Sequence, residues 1–254
     1  MFNSSRGGNW PPATKNLIII NVIVWVSPLL ASNFGGNLLH DILGLHYIES
    51  EKFNPVQIFT YMFLHDSRSI WHIFFNMFSL WMFGRILEQV WGTKRFLLFY
   101  FVCGIGAAMI QEGVWALTWE HDYIKDIARL NGLTFDNMKA YVDQAQAQGS
   151  TEFLKGMEMY KDQFVTIGAS GAVFGLLLGF AFVFPEMPLY LFFIPIPIKA
   201  KYMVLGYAVL ELFFGVGGRM DSVAHFAHLG GMIFGLVLLL YWKKKGMLRG
   251  GGFY

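Results

Sequence analysis

The sequence predicts an all-α membrane protein: a six-transmembrane-helix bundle with an outer-face insertion between spans three and four. Three observations predict it. Of 254 residues, 55% are hydrophobic and only 14% charged, against about 25% charged in an average soluble domain. Apolar runs near the roughly 20 residues that a span needs recur along the chain. The basic residues gather at alternate ends of those runs, as the positive-inside rule requires. The formal charge of +2 is small and scattered, which excludes nucleic acid as a partner and leaves the lipid bilayer as the surroundings. One cysteine, Cys103, rules out an intrachain disulfide.

Residues 1–15, with Arg6 and Lys15, form a cytoplasmic N-terminal segment. Residues 16–242 hold the six spans, and residues 243–254 form a basic cytoplasmic tail. The first span covers Asn16 to Ser32. A cleaved signal peptide is the competing reading of this run; it is set aside because the charges need an even number of spans. The second span is Ile70 to Gln89, the third Lys94 to Trp119 and the fourth Phe164 to Phe184. The fifth, Ile198 to Phe214, follows a proline-broken apolar hairpin, LYLFFIPIP, and the sixth is Val223 to Trp242. With both termini cytoplasmic, Arg6, Lys15, Arg85, Lys94, Arg95, Lys199, Lys201, Lys243, Lys244, Lys245 and Arg249 face the cytoplasm, opposed there only by Glu88 and Glu186. Glu88 and Arg95 read as a cytoplasmic loop pair. Glu112 and Glu211, inside apolar spans, read as residues near the outer ends that reach water. The outer segment Asn33 to Ser69 reads as interfacial. The insertion, residues 120–163, reads as amphipathic helical pieces broken at Asn131-Gly132 and Gly149-Ser150.

Polar residues then converge at one depth. Spans two, four and six all enter from the outer side, and each carries its unusual polar groups in its first turns. Span two has WHIFFNMF, with His72 and Asn76 one turn apart on one face. Span four has TIGASGAVFGLLLGF, with Ser170 above a seam of Gly171, Gly175 and Gly179. Span six has VAHFAHLGG, with His225 and His228, then Gly231 and Gly235. At 1.5 Å per residue these groups lie roughly 3 to 10 Å below the span starts. Small residues every fourth position let membrane helices touch. If the two seams face each other, Ser170 meets His228, and a serine hydroxyl with an adjacent histidine is a nucleophile with its base. His225 is the nearest competitor as base, but only His228 has glycines three and seven residues on. His72, the Asn76 amide and the Ser170 backbone N–H are candidate donors for an oxyanion hole. No Asp or Glu lies near these positions in sequence, so the expectation is a Ser–His pair rather than a triad.

GASG at 168–171, HIFFN at 72–76 and AHLGGMIFG at 227–235, in that order on spans two, four and six, resemble the rhomboid intramembrane serine proteases. The resemblance covers about residues 55–242. It implies Ser170 as nucleophile, His228 as general base, and His72 and Asn76 as oxyanion donors. It implies Gly168 as the glycine that keeps the backbone open beside the nucleophile, with Gly171, Gly231 and Gly235 as supporting contacts. It implies a serine endopeptidase that cuts transmembrane segments of other proteins, with lateral entry beside span five, and no metal or other cofactor. His65 resembles a further family histidine at a longer spacing, and NPVQIF stands where some members have a Trp-Arg pair.

Three other readings are weighed. A catalytically silent rhomboid-like protein would bind transmembrane segments without cutting them. A zinc protease built on His65, His72, His225 and His228 would need a carboxylate base that no HExxH motif supplies. A transporter would place its polar groups near mid-membrane. The compact core suggests a bacterial inner membrane, and the sequence sets no oligomeric state.

Overall fold

The computed structural model describes residues 10–30, 36–191, 194–217 and 224–248. Arg6 of the N-terminal segment, Arg249 in the tail, Asn33 and the expected start of span six at Val223 lie outside them.

The chain opens with helix α1, Pro12–Leu30, and a short amphipathic helix α2, Gly36–Leu43. Strand β1, Leu45–His46, and helix α3, Gln57–Thr60, lead through a 3₁₀ turn, Tyr61–Phe63, to α4, Ile70–Ser79. A π-helical turn, Leu80–Gly84, joins α4 to α5, Arg85–Trp91. These form one rod, Ile70–Trp91. Then come α6, Thr93–Leu130, α7, Phe135–Ala147, and α8, Thr151–Lys161. Strand β2, Val165–Thr166, precedes α9, Ser170–Val183. The hairpin β3, Pro188–Leu191, and β4, Ile194–Lys199, leads into α10, Ala200–Gly217, and α11, His225–Lys244, closes the bundle.

Among the described residues, four helices are long and apolar enough to cross a membrane: Ile70–Trp91, Thr93–Leu130, Ala200–Gly217 and His225–Lys244. The expectation of six spans is therefore met only in part. Helix α9 stands where the fourth span was expected but is shorter, because Val165–Thr166 enter as a strand, residues 167–169 lead through a bend and helix begins only at Ser170. Helix α1 covers the expected first span with 19 residues but is not among the four.

The core is a layer of α6, α9 and α11 around Phe96, Phe99, Tyr100, Cys103, Leu176, Phe180, Leu239 and Trp242, all buried. Glycines set the spacing. A Cβ on Gly231 would stand 1.9 Å from the Gly171 carbonyl oxygen, so α9 and α11 touch backbone to backbone there. A Cβ on Gly175 would stand 2.4 Å from Cys103 Sγ and 3.1 Å from the Gly231 oxygen. Gly179 and Gly235 instead meet Phe99, with Trp91 also at Gly179 and Cys103 at Gly235. The expected seam is thus real at its outer end and turns toward α6 lower down.

Two other expectations are corrected. Glu88 does not pair with Arg95. It is buried and accepts the Ala13 and Thr14 backbone N–H groups at 3.0 and 2.8 Å, with hydroxyl bonds from Thr14 and Thr93 at 2.8 Å. The first N–H groups of α1 lack partners within their helix, and a carboxylate at that positive end satisfies them. Arg95 donates to the Met247 carbonyl at 2.9 Å. The third span also runs on as helix to Leu130. Its C-terminal end carries Tyr123, Ile124 and Ala128, against which Met138 of α7 and Met157 of α8 pack in a second small core. The breaks around this outer lobe fall where Gly132 and Gly149 adopt φ of 66° and 64°.

Candidate active site

The site is built where an extended strand turns into a helix. Strand β2 pairs antiparallel with β1, with Leu45 opposite Thr166 and His46 opposite Val165. The Gly168 N–H then donates to the Tyr61 carbonyl at 2.9 Å, and the Tyr61 hydroxyl donates to the Gly104 carbonyl at 2.7 Å. The approach to Ser170 is therefore fixed from two sides. Gly168 has φ of 129°, a conformation that side chains resist. Space excludes one as well: a Cβ there would lie 2.9 Å from His72 Nε2.

Ser170 is the first residue of α9 and half-buried. Its backbone N–H belongs to the first turn, whose N–H groups have no acceptor within the helix and mark its positive end. His228, one turn into α11, is buried, and its Nε2 stands 2.8 Å from Ser170 Oγ. Phe174 stacks on the His228 ring at 4.2 Å and 5° between planes, which holds the imidazole in that orientation. The Gly171–Gly231 contact fixes the two helices one turn deeper.

His72 and Asn76 come from α4. The Asp66 N–H donates to His72 Nδ1 at 3.3 Å, so the ring hydrogen sits on Nε2. The position of the missing Gly168 side chain is 2.9 Å from that Nε2 and 3.6 Å from Ser170 Oγ. One point thus lies near both a donor and a nucleophile, the geometry an acyl-transfer site needs. Asn76 is buried and donates one amide hydrogen to the His72 carbonyl at 2.9 Å; an amide carries two. His65 is also buried, with its ring 5.0 Å from that of His72. Burial holds its imidazole far below the ordinary range, at about 3, so it is neutral there.

The absence of a nearby carboxylate is the expectation that fails. Glu211 of α10 does not sit at a watery span end. Its Oε2 lies 2.6 Å from His225 Nδ1 and 3.1 Å from His228 Nδ1. The bond to His225 is well formed. The contact to His228 is close enough for an ion pair but misaligned for a hydrogen bond, and among the described residues His228 Nδ1 has no bonded partner. The sequence does carry the signal, a lone glutamate in an apolar span, but not which helix it faces. Glu112, the other such residue, accepts the Ile48 N–H at 2.9 Å and does not join the site.

Chemically the arrangement offers a hydroxyl against an imidazole, a helix N-terminus at that hydroxyl, a second imidazole nearby, and a carboxylate behind the base. The Rhomboid domain family matches this chain over residues 52–118 and 134–245. Among curated proteins the chain is similar to Rhomboid protein 1, mitochondrial, of Saccharomyces cerevisiae, 28% identical over 177 residues. That alignment covers 70% of this chain and 39% of the yeast protein, so the chain spans well under two thirds of its relative's length.

Proposed function

Since the chain belongs to the rhomboid family and is an integral membrane protein, we propose that it is an intramembrane serine endopeptidase, with six membrane passages and both termini cytoplasmic. It hydrolyses peptide bonds in or near transmembrane segments of other proteins. The carrying observation is the 2.8 Å approach of His228 Nε2 to Ser170 Oγ at the outer end of α9.

The Ser170 hydroxyl gives its proton to His228 Nε2 as Oγ attacks the scissile carbonyl. The developing oxyanion is met by the Ser170 N–H at the helix start and by His72 Nε2–H, with Asn76 one turn below as the further donor. His228 passes the proton to the leaving amine, and water admitted from the outer side repeats the sequence to release the acyl group. Glu211, at 3.1 Å from His228 Nδ1, favours the tautomer in which Nε2 is free to accept and steadies the imidazolium. A substrate helix hides its peptide bonds in its own hydrogen bonds, so cleavage selects segments that unwind, with glycine or other helix breakers near the cut.

The test uses the purified chain in detergent with a model transmembrane substrate. Ser170→Ala and His228→Ala should each lower cleavage about 1,000-fold or more. His72→Ala should lower kcat by about 100-fold. A fluorophosphonate should label Ser170 and not the alanine variant. Wild-type protein that neither cleaves nor takes the label would instead be a silent binder of transmembrane segments.

A further inference from the structure

The geometry points to a divalent-metal site of the zinc class, formed by Glu211 Oε2, His225 Nδ1 and His228 Nδ1, whose occupation turns the protease off. The inhibitory half of this inference rests on the reading of His228 as the base; the site itself does not.

Three ligand atoms of the right kind already lie within 4.8 Å of one another. The carboxylate oxygen stands 2.6 Å from one nitrogen and 3.1 Å from the other. Zinc held at about 2.0–2.1 Å by three tetrahedral ligands sets them about 3.3 Å apart, so the carboxylate oxygen backs away from each nitrogen by less than an ångström while the two imidazoles turn toward each other by up to about 1.5 Å. His225 and His228 are three residues apart on α11 and share a face. Glu211 comes from the facing helix, the pattern by which helix bundles build metal sites.

A second observation points to a ligand. His225 and His228 are 6% and 8% exposed, and among the described residues neither His228 Nδ1 nor His225 Nε2 has a hydrogen-bond partner. One carboxylate oxygen faces two ring nitrogens and aligns with only one. A metal between the three atoms would give His228 Nδ1 a partner, replace the Glu211 contact at His225 Nδ1 and leave a fourth position for water.

The effect on the chemistry follows from the two faces of an imidazole. With a proton on His228 Nδ1, Nε2 is a lone pair that takes the serine proton. With metal on Nδ1, the ring hydrogen must sit on Nε2, which then donates to Ser170 Oγ and cannot accept. Each histidine moves its proton from Nδ1 to Nε2, and none need be released. The same bond staples α10 to α11. In α10 only Ala200 and Val204 are buried, so the clamp would add to a lightly held helix.

The experiment takes the full chain, tag-free, in detergent and stripped with chelator, and adds zinc chloride. On the Ser170→Ala chain, equilibrium competition with a chromogenic chelator should find one zinc per chain. X-ray absorption should show a mixed nitrogen and oxygen shell near 2.0–2.1 Å. His225→Gln and Glu211→Gln should each weaken binding at least tenfold. On the active chain, zinc should inhibit cleavage and chelator should restore it, read as the rate ratio with and without zinc, and His225→Gln should lose that sensitivity. No binding at about 100 μM zinc, or equal binding in both variants, would overturn the site. Stoichiometric binding with undiminished cleavage would overturn the inhibition. A chain that binds zinc as described yet never cleaves would retain the site and refute the protease reading instead.

Discussion

Helices α10 and α11 are neighbours of similar length, yet the bundle grips them very differently. Helix α11 presents Ala227, Gly230, Gly231, Gly235, Leu239 and Trp242 as buried positions against α6 and α9. Helix α10 buries only Ala200 and Val204 and exposes Tyr202, Leu205, Val209, Leu212, Phe213 and Val216. The difference tracks glycine placement. Gly231 of α11 sits where the Gly171 backbone arrives and Gly235 where Phe99 and Cys103 do, whereas a Cβ on Gly206 of α10 would meet nothing within 4 Å among the described residues. Close contact between α9 and α11 sets where the His228 ring stands against Ser170. The bare helix meets its neighbours through a few side chains, Tyr207 on Phe174, Phe214 on His225 and Glu211 on the two histidines of α11.

The sharpest way to break this contrast is to add one methyl group to each helix. Gly231→Ala drives a Cβ to 1.9 Å from the Gly171 oxygen. Neither backbone can yield cheaply, so the loss should be about 3 kcal/mol or more, with cleavage falling alongside, read by thermal unfolding in detergent and by substrate assay. A normal melting temperature in this variant would show that α9 and α11 do not touch as described. Next is Glu211→Gln, which keeps shape but removes charge behind the base. Cleavage should fall about tenfold, mostly in kcat, with the melting temperature little changed. A drop in stability without a change in kcat would make Glu211 an anchor only. The counterpart of the first change, Gly206→Ala, should be neutral or stabilise by about 0.5–1 kcal/mol, since it only improves helix propensity on an open face. The smallest effect is expected at the start of α10. Glu186 pairs with Lys199 at 2.7 Å and with Lys201. These lysines hold its carboxyl at about 2, below its ordinary 4.5. A depressed carboxyl stabilises above its unfolded value, so the contribution should be full above pH 4.5 and vanish as pH falls toward 2. Melting of wild type and Glu186→Gln should therefore converge across that window, and for an exposed pair the difference above it should be slight.

The contrast between the two helices also marks what was legible in the sequence. Residues whose partners share a periodic motif could be read directly. Ser170, His228 and the Gly171–Gly231 contact follow from four-residue spacing, because a helix converts spacing into a face. The breaks at Asn131-Gly132 and Gly149-Ser150 follow from glycine in turns, and both adopt positive φ. Glu211 was misread because a lone charge on a sparsely packed helix carries no periodicity that says which way it points. Glu88 was misread for a related reason. Proximity to Arg95 in sequence suggested an ion pair, but the N–H groups at the start of α1 were the stronger unmet need, and nothing local in residues 85–95 reveals a helix end from the other end of the chain. The short α9 was illegible because hydropathy counts apolar residues without telling helix from the extended stretch that leads into it.

Helix α6 has a mechanical consequence. At 1.5 Å per residue its 38 residues make a rod about 57 Å long, against a hydrocarbon slab of about 30 Å. The strut is longer than the slab by roughly half its own length, and its C-terminal part carries the Tyr123–Met157 cluster as a headpiece. A rod cannot shorten, so a thinner or thicker bilayer changes its lean rather than its reach. The headpiece therefore follows the lower half of the same helix, where Phe99 and Cys103 sit in the main core, with no break between them.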